Sequence, residues 1–191
     1  MFDLEIITLL NWACTLIGVK YVWVCNSEYM MINHIPMYGT LNVLPDINFI
    51  KLHGCNCVGL INLLRLKNNK NIPGHNNKKF IQSNYIGSLG VWINELKKSN
   101  FLSKYNKDLS YEIGTLLIKA SNYNTFGHMA IIIGHNKILH SYTNYNGKFS
   151  ELCNTASYQD IFTDPGICIS NIDNYLFEYT CKPSIWLYQD F

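Results

Sequence analysis

The chain has 191 residues, 48% of them hydrophobic and 15% charged, with a formal net charge of +2. That length supports one well-buried core and would crowd two, and that composition excludes a disordered chain. The charge is too small to imply nucleic acid or an anionic membrane surface as a partner.

Ile6, Leu9, Leu10, Ala13, Leu16 and Ile17 recur at helical spacing, which predicts a core helix over residues 4–17 that ends near Gly18. The apolar run 6–24 is not read as an integral membrane segment, because Asn11 and Lys20 lie inside it and Gly18 interrupts it. A short strand is expected at 21–24. Residues 25–52 read as loop, with Pro36, Gly39 and Pro45 as turn signals. A second helix is expected to start at Cys57, run through Leu60, Leu63, Leu64 and Leu66, and stop at the polar run 67–71. Residues 72–87 read as loop. A third, amphipathic helix over 88–100 would bury Leu89, Trp92, Ile93 and Leu96. Strands are expected at 115–119, 128–133 and 137–142, the last two joined by a tight turn, then at 166–169 and finally at 185–188. Helices first and clustered strands later give an α+β fold class in one domain over 1–191.

The lysines between 67 and 79 form the one basic cluster and read as a solvated loop rather than a phosphate site. Arg65, the sole arginine amid many lysines and asparagines, reads as coding bias. The seven cysteines (14, 25, 55, 57, 153, 168 and 181) leave at least one unpaired and suggest a reducing compartment. Asp3 and Glu5 stand where a secretory leader would carry positive charge, so an intracellular or virion-associated location is expected over classical secretion.

The chemistry concentrates in three residues. Cys57, in Gly54-Cys55-Asn56-Cys57-Val58-Gly59-Leu60, falls where a loop becomes an apolar helix. The unpaired N–H groups and positive dipole end of a first helical turn favour a thiolate there. The bland alternative is a small buried hydrophobe. His128 opens the apolar run His128-Met129-Ala130-Ile131-Ile132-Ile133, and His140 follows in Ile138-Leu139-His140-Ser141. Alone, each could be a core or surface histidine. Their separation is even, so strand alternation can place both on one face if the turn keeps phase. A nucleophilic Cys, a base and an orienting polar group, in that order, are the parts of a papain-type site. His34, His53, His75 and His135 lack such a context.

Four segments resemble the NlpC-type cysteine peptidases, a papain-like family that cuts cell-wall peptides. Ala13-Cys14-Thr15-Leu16-Ile17-Gly18-Val19-Lys20-Tyr21-Val22-Trp23 resembles the family's first helix, its Gly-Val/Thr-Pro-Tyr turn and the following Trp. Asn56-Cys57-Val58-Gly59-Leu60 stands where the family has Asp-Cys-Ser-Gly-Leu/Phe. Gly114-Thr115-Leu116-Leu117 resembles its Gly-Asp-Leu strand entry, and the His128 and His140 segments resemble its His-Val-Gly-Ile-Tyr-Ile-Gly strand and Ile-His-Ala sequel. Gly147-Lys148-Phe149-Ser150-Glu151 also resembles the Gly-x-Val-x-Glu stretch of phage-tail members. The resemblance spans residues 6–151 and implies a papain-like fold, with N-terminal helices packed on a mostly antiparallel sheet. It implies Cys57 as nucleophile, His128 as general base and His140 as the residue that orients it. Tyr21 would lie over the nucleophile and shape the substrate and oxyanion site, with the Cys57 N–H as a further donor.

Asn56 and Val58 depart from the family's Asp and Ser, which puts recognition of a substrate's amino end in doubt. Residues 67–112 are long for a family connector and could form a lid or specificity wall. The expected activity is a thiol hydrolase cutting an amide or isopeptide bond in a peptide-like substrate, a peptidoglycan peptide being one candidate, with no cofactor and no metal. A thiol acyltransferase or lipase on the same fold and a non-enzymatic interaction domain are the alternatives. A zinc site from His53, Cys55 and Cys57 has tighter spacing than structural zinc sites use, and Cys55–Cys57 lacks the two-residue gap of redox pairs.

Overall fold

The computed structural model describes residues 2–22, 37–39, 41, 43–75, 86–120, 127–143, 162–163 and 165–190. Trp23, Cys25, His34, Cys153 and the segment 147–151 lie outside them. Helix α1 (Phe2–Cys14) buries Ile6, Leu9, Leu10 and Ala13. Beyond it the chain tightens into i→i+3 bonds, from the N–H groups of Thr15, Leu16 and Ile17 to Trp12, Ala13 and Cys14. Gly18, at φ 88°, then turns the chain into β1 (Tyr21–Val22).

Helix α2 (Ile47–His53) occupies part of the stretch expected to be loop. Seven residues are too few for a periodic signal, but Asp46 caps it by accepting from the Phe49 N–H at 2.9 Å. Helix α3 (Cys57–Lys67) begins at the expected residue and is buried continuously from Cys57 to Leu66. A helix buried on every side must satisfy any polar group it carries. Asn62 donates to the carbonyls of Met37 (2.7 Å) and Gly87 (3.0 Å) and accepts from Trp92 Nε1 (2.8 Å). Arg65, read from sequence as coding bias, is a structural residue. Its guanidinium donates to the carbonyls of Asn71, Trp186 and Gln189 and lies over the Trp92 ring. Burial lowers its pKa to about 10, with Asp190 opposing.

Helix α4 (Leu89–Lys98) follows a Ser88 cap. Within the stretch 67–112 it belongs to the main core, where Trp92 and Leu96 are fully buried. Of the lysine cluster, Lys67 covers the Trp12 ring and Lys70 pairs with Asp190 at 3.3 Å.

The remaining elements are β2 (Ser103–Lys104), β3 (Leu116–Lys119), β4 (His128–Gly134), β5 (Lys137–Thr143), β6 (Phe162–Thr163), β7 (Pro165–Asn171), β8 (Tyr179–Cys181) and α5 (Pro183–Trp186). Residues 185–188 do not form the closing strand expected of them. Pro183 opens a helix there, its fixed φ and missing N–H being tolerated in a first turn, and the strand is β8 just before it.

Strands β2-β8-β3-β4-β5-β7 form a six-stranded antiparallel sheet, and β1 pairs with β6. The architecture is α+β. Alternate residues divide the sheet into two faces. Leu116, Ile118, Met129, Ile131, Leu139 and Ile167 join the helices in the main core. Leu117, Ala130, Ile132 and Ile138 form a smaller core with Phe177 on the other side. Among the described residues no helix is long and apolar enough to cross a membrane.

Candidate active site

The approach to α3 is pinned on both sides. The Cys55 N–H donates to the Lys20 carbonyl (3.0 Å), and Ser141 Oγ donates to the Cys55 carbonyl (2.7 Å). This holds the turn before α3 between the β1 segment and β5. Asn56, extended at φ −97° and ψ 179°, accepts from the Gly59 N–H at 2.8 Å and caps the helix. Cys57 is therefore its first residue, where backbone N–H groups have no helical partner.

The Cys57 thiol is reached by the N–H groups of Met129, Val58 and Cys57 itself and by the Tyr21 hydroxyl. The Met129 contact follows from the sheet. The β4–β5 ladder runs from the Gly134/Lys137 turn, through an irregularity after Ile132, to Ile131↔Leu139. It does not include Met129, whose N–H meets the thiol. Burial raises the Cys57 pKa, and these four donors offset part of that rise. Desolvation thus opposes the helix end, which by itself favours a thiolate.

His128 and His140 lie on the same face, as their even spacing implied, because the pairs Ile131↔Leu139 and Ile132↔Ile138 fix the register on their side of the irregularity, which is confined to the turn end of the hairpin. His128 Nε2 is 2.8 Å from His140 Nδ1. By alternation both rings sit on the face opposite α3, with Ala130, Ile132 and Ile138. Tyr175 stacks on His128 (5.9 Å, 19°) and Tyr142 on His140 (5.5 Å, 13°), with Phe177 6.2 Å from His128. Burial, then His140 and Lys119, push the His128 pKa far below the ordinary histidine value, and burial lowers that of His140. Both rings are neutral near pH 7.

The structure thus joins Tyr21 to Cys57 and His128 to His140. Cys57 lies against the residue that follows His128, but His128 is not among the groups hydrogen-bonded to the thiol. His53 is committed elsewhere, with Nδ1 2.9 Å from the Phe49 carbonyl and its ring stacked on Phe49. No cluster of three metal-ligating side chains occurs among the described residues. Asn56 and Val58, both buried, serve the cap and the core.

Sequence reasoning missed Ser170, whose Oγ is 2.9 Å from His140 Nε2, and Tyr175, which donates to that oxygen at 3.4 Å. The expected strand stopped one residue short of Ser170. Its pairing with β5 (His140↔Cys168, Ile138↔Ser170) is a long-range fact with no local signature. No protein-family model, curated protein or solved structure matches the chain.

Proposed function

We propose that this protein is an NlpC-like thiol hydrolase of papain-like architecture, cleaving an amide or isopeptide bond in a peptide-like substrate. The observation that carries the reading is the Cys57 thiol on the Met129 N–H, next in sequence to a histidine whose Nε2 is held by His140. That hold leaves His128 Nδ1 as the nitrogen able to serve the thiol. As Sγ attacks the carbonyl carbon, His128 takes the thiol proton. The Tyr21 hydroxyl and the Cys57 N–H, both at the thiol, would receive the developing oxyanion. Collapse breaks the C–N bond, and His128 returns the proton to the leaving amine. Water, deprotonated by His128, then hydrolyses the thioester and releases the acid and free Cys57.

A thiol whose pKa burial raises and a histidine whose pKa burial lowers suit a general-base route, because charge would appear only as the bond forms. The commitment of Asn56 to capping and Val58 to packing supports weak dependence on a free substrate amine. The test is to incubate the protein with muropeptides, isopeptide-linked conjugates and short-chain lipid esters, and to follow the products by mass spectrometry. Amide cleavage that disappears in Cys57→Ala is expected. Turnover of esters alone would reassign the site to acyl transfer or lipid hydrolysis, and no turnover of any class would favour a binding domain.

A further inference from the structure

His128, His140, Ser170 and Tyr175 form one hydrogen-bonded chain: Nε2 to Nδ1 at 2.8 Å, Nε2 to Oγ at 2.9 Å, and the Tyr175 hydroxyl to Oγ at 3.4 Å. A neutral imidazole carries one N–H, so the chain admits two proton orders. In the first, His128 Nε2–H donates to His140 Nδ1, His140 Nε2–H donates to Ser170 Oγ, and His128 Nδ1 keeps a lone pair. In the second, Ser170 donates to His140 Nε2, His140 Nδ1–H donates to His128 Nε2, and His128 Nδ1 carries the proton. Only the first order leaves His128 able to act as a base from Nδ1.

We infer that Ser170, held by Tyr175, is a positioning residue that keeps the two histidines in the first order by accepting from His140 Nε2. A hydroxyl oxygen has two acceptor sites, which His140 and Tyr175 fill together. Its own hydrogen has an outlet toward Cys168 Sγ at 3.9 Å. The first order also survives proton uptake unchanged. When His128 Nδ1 is protonated, its Nε2–H still meets an acceptor, whereas the second order would set two N–H groups against each other. The inference rests on His128 being the base of the proposed hydrolase, and it extends the site onto β7 and the segment after it.

The test reads the tautomers directly, by nitrogen NMR of histidine-labelled full-length Cys57→Ala protein. Both rings are expected as Nε2–H. Adding Ser170→Ala should shift His140 toward Nδ1–H or a mixture, Ser170→Thr should restore the parent pattern, and Tyr175→Phe should fall between. In the otherwise native protein, Ser170→Ala should lower kcat about tenfold with KM little changed, the size of one lost oriented hydrogen bond. Nδ1–H rings in the parent, or parent tautomers unmoved by Ser170→Ala, would overturn the inference. Because the spectra need no turnover, an Nε2–H parent without activity on any substrate would remove the hydrolase reading and leave the ordering role of Ser170 intact.

Discussion

The two faces of the six-stranded sheet are cut from alternate residues of the same strands, yet they treat polar groups in opposite ways. On the helix side, Asn62 and Arg65 are spent on backbone carbonyls and the indole of Trp92. Their protons have fixed places at any ordinary pH. On the other side, His128 and His140 bond to each other and then to hydroxyls, each of which can give or accept a proton. The Cys57 thiol belongs to the first face, on the Met129 N–H, and the neighbouring His128 ring to the second. Burial makes one side a scaffold and the other a proton relay because the first is satisfied by main chain and the second by titratable side chains.

Removing the proposed nucleophile or the proposed base should have the largest effect. Cys57→Ala and His128→Ala should each lower kcat by about 10³-fold or more with unchanged circular dichroism, whereas His140→Ala should keep partial activity. Normal turnover in His128→Ala would sever the two faces functionally.

Arg65→Met attacks the scaffold alone. It strips donors from three carbonyls, the one of Trp186 buried, and should cost about 3 kcal/mol by denaturant titration, with the histidine tautomers unmoved in whatever protein stays folded. A loss under about 0.5 kcal/mol would show that the guanidinium network is dispensable.

Acid should act on the relay. The folded pKa values of His128 and His140 lie below the unfolded value near 6.5, so the unfolded chain binds more protons as pH falls. Stability should be unaffected by these groups above about pH 7 and decline as pH drops from about 6.5 toward 4. His140→Gln should flatten that decline in thermal melts at a series of pH values; an unchanged slope would clear the histidines of the effect.

The buried thiol gives a gentler test. Iodoacetamide labelling of Cys57 should climb with pH through the alkaline range, because burial raises its pKa. A plateau already reached at mildly acidic pH would mean a thiolate–imidazolium pair instead. The smallest effect is expected from Asn56→Asp, which keeps a capping oxygen and should change stability by less than about 0.5 kcal/mol. A large gain on amine-terminated muropeptides would show that the position faces substrate after all.

Local signals located the start of α3, the β4–β5 hairpin and the shared face of the two histidines. Each depends on periodicity or capping within a dozen residues. The rest depended on who packs against whom. Helix α2 was too short to show a period, and Ile185, Trp186 and Leu187 looked like a strand because burial alone does not distinguish a strand from one turn of helix. Ser170 stayed hidden because nothing near it in sequence says that β7 lies beside β5. The desolvation that raises the Cys57 pKa was hidden for the same reason: the helix end is local, but burial comes from the whole core.

Arg65 also sets an order of events in time. Two of its three carbonyl partners lie 121 and 124 residues further along the chain. While a ribosome is still making the segment after α3, the helix that begins at Cys57 has a cation with no interior place to go. The guanidinium can be enclosed only after Trp186 and Gln189 have emerged, so the seat of Cys57 should be among the last parts of the molecule to become rigid. Closing so long a loop is a slow step for a folding chain. A protein built this way fixes the start of α3 only after the segment carrying Trp186 and Gln189 is in place.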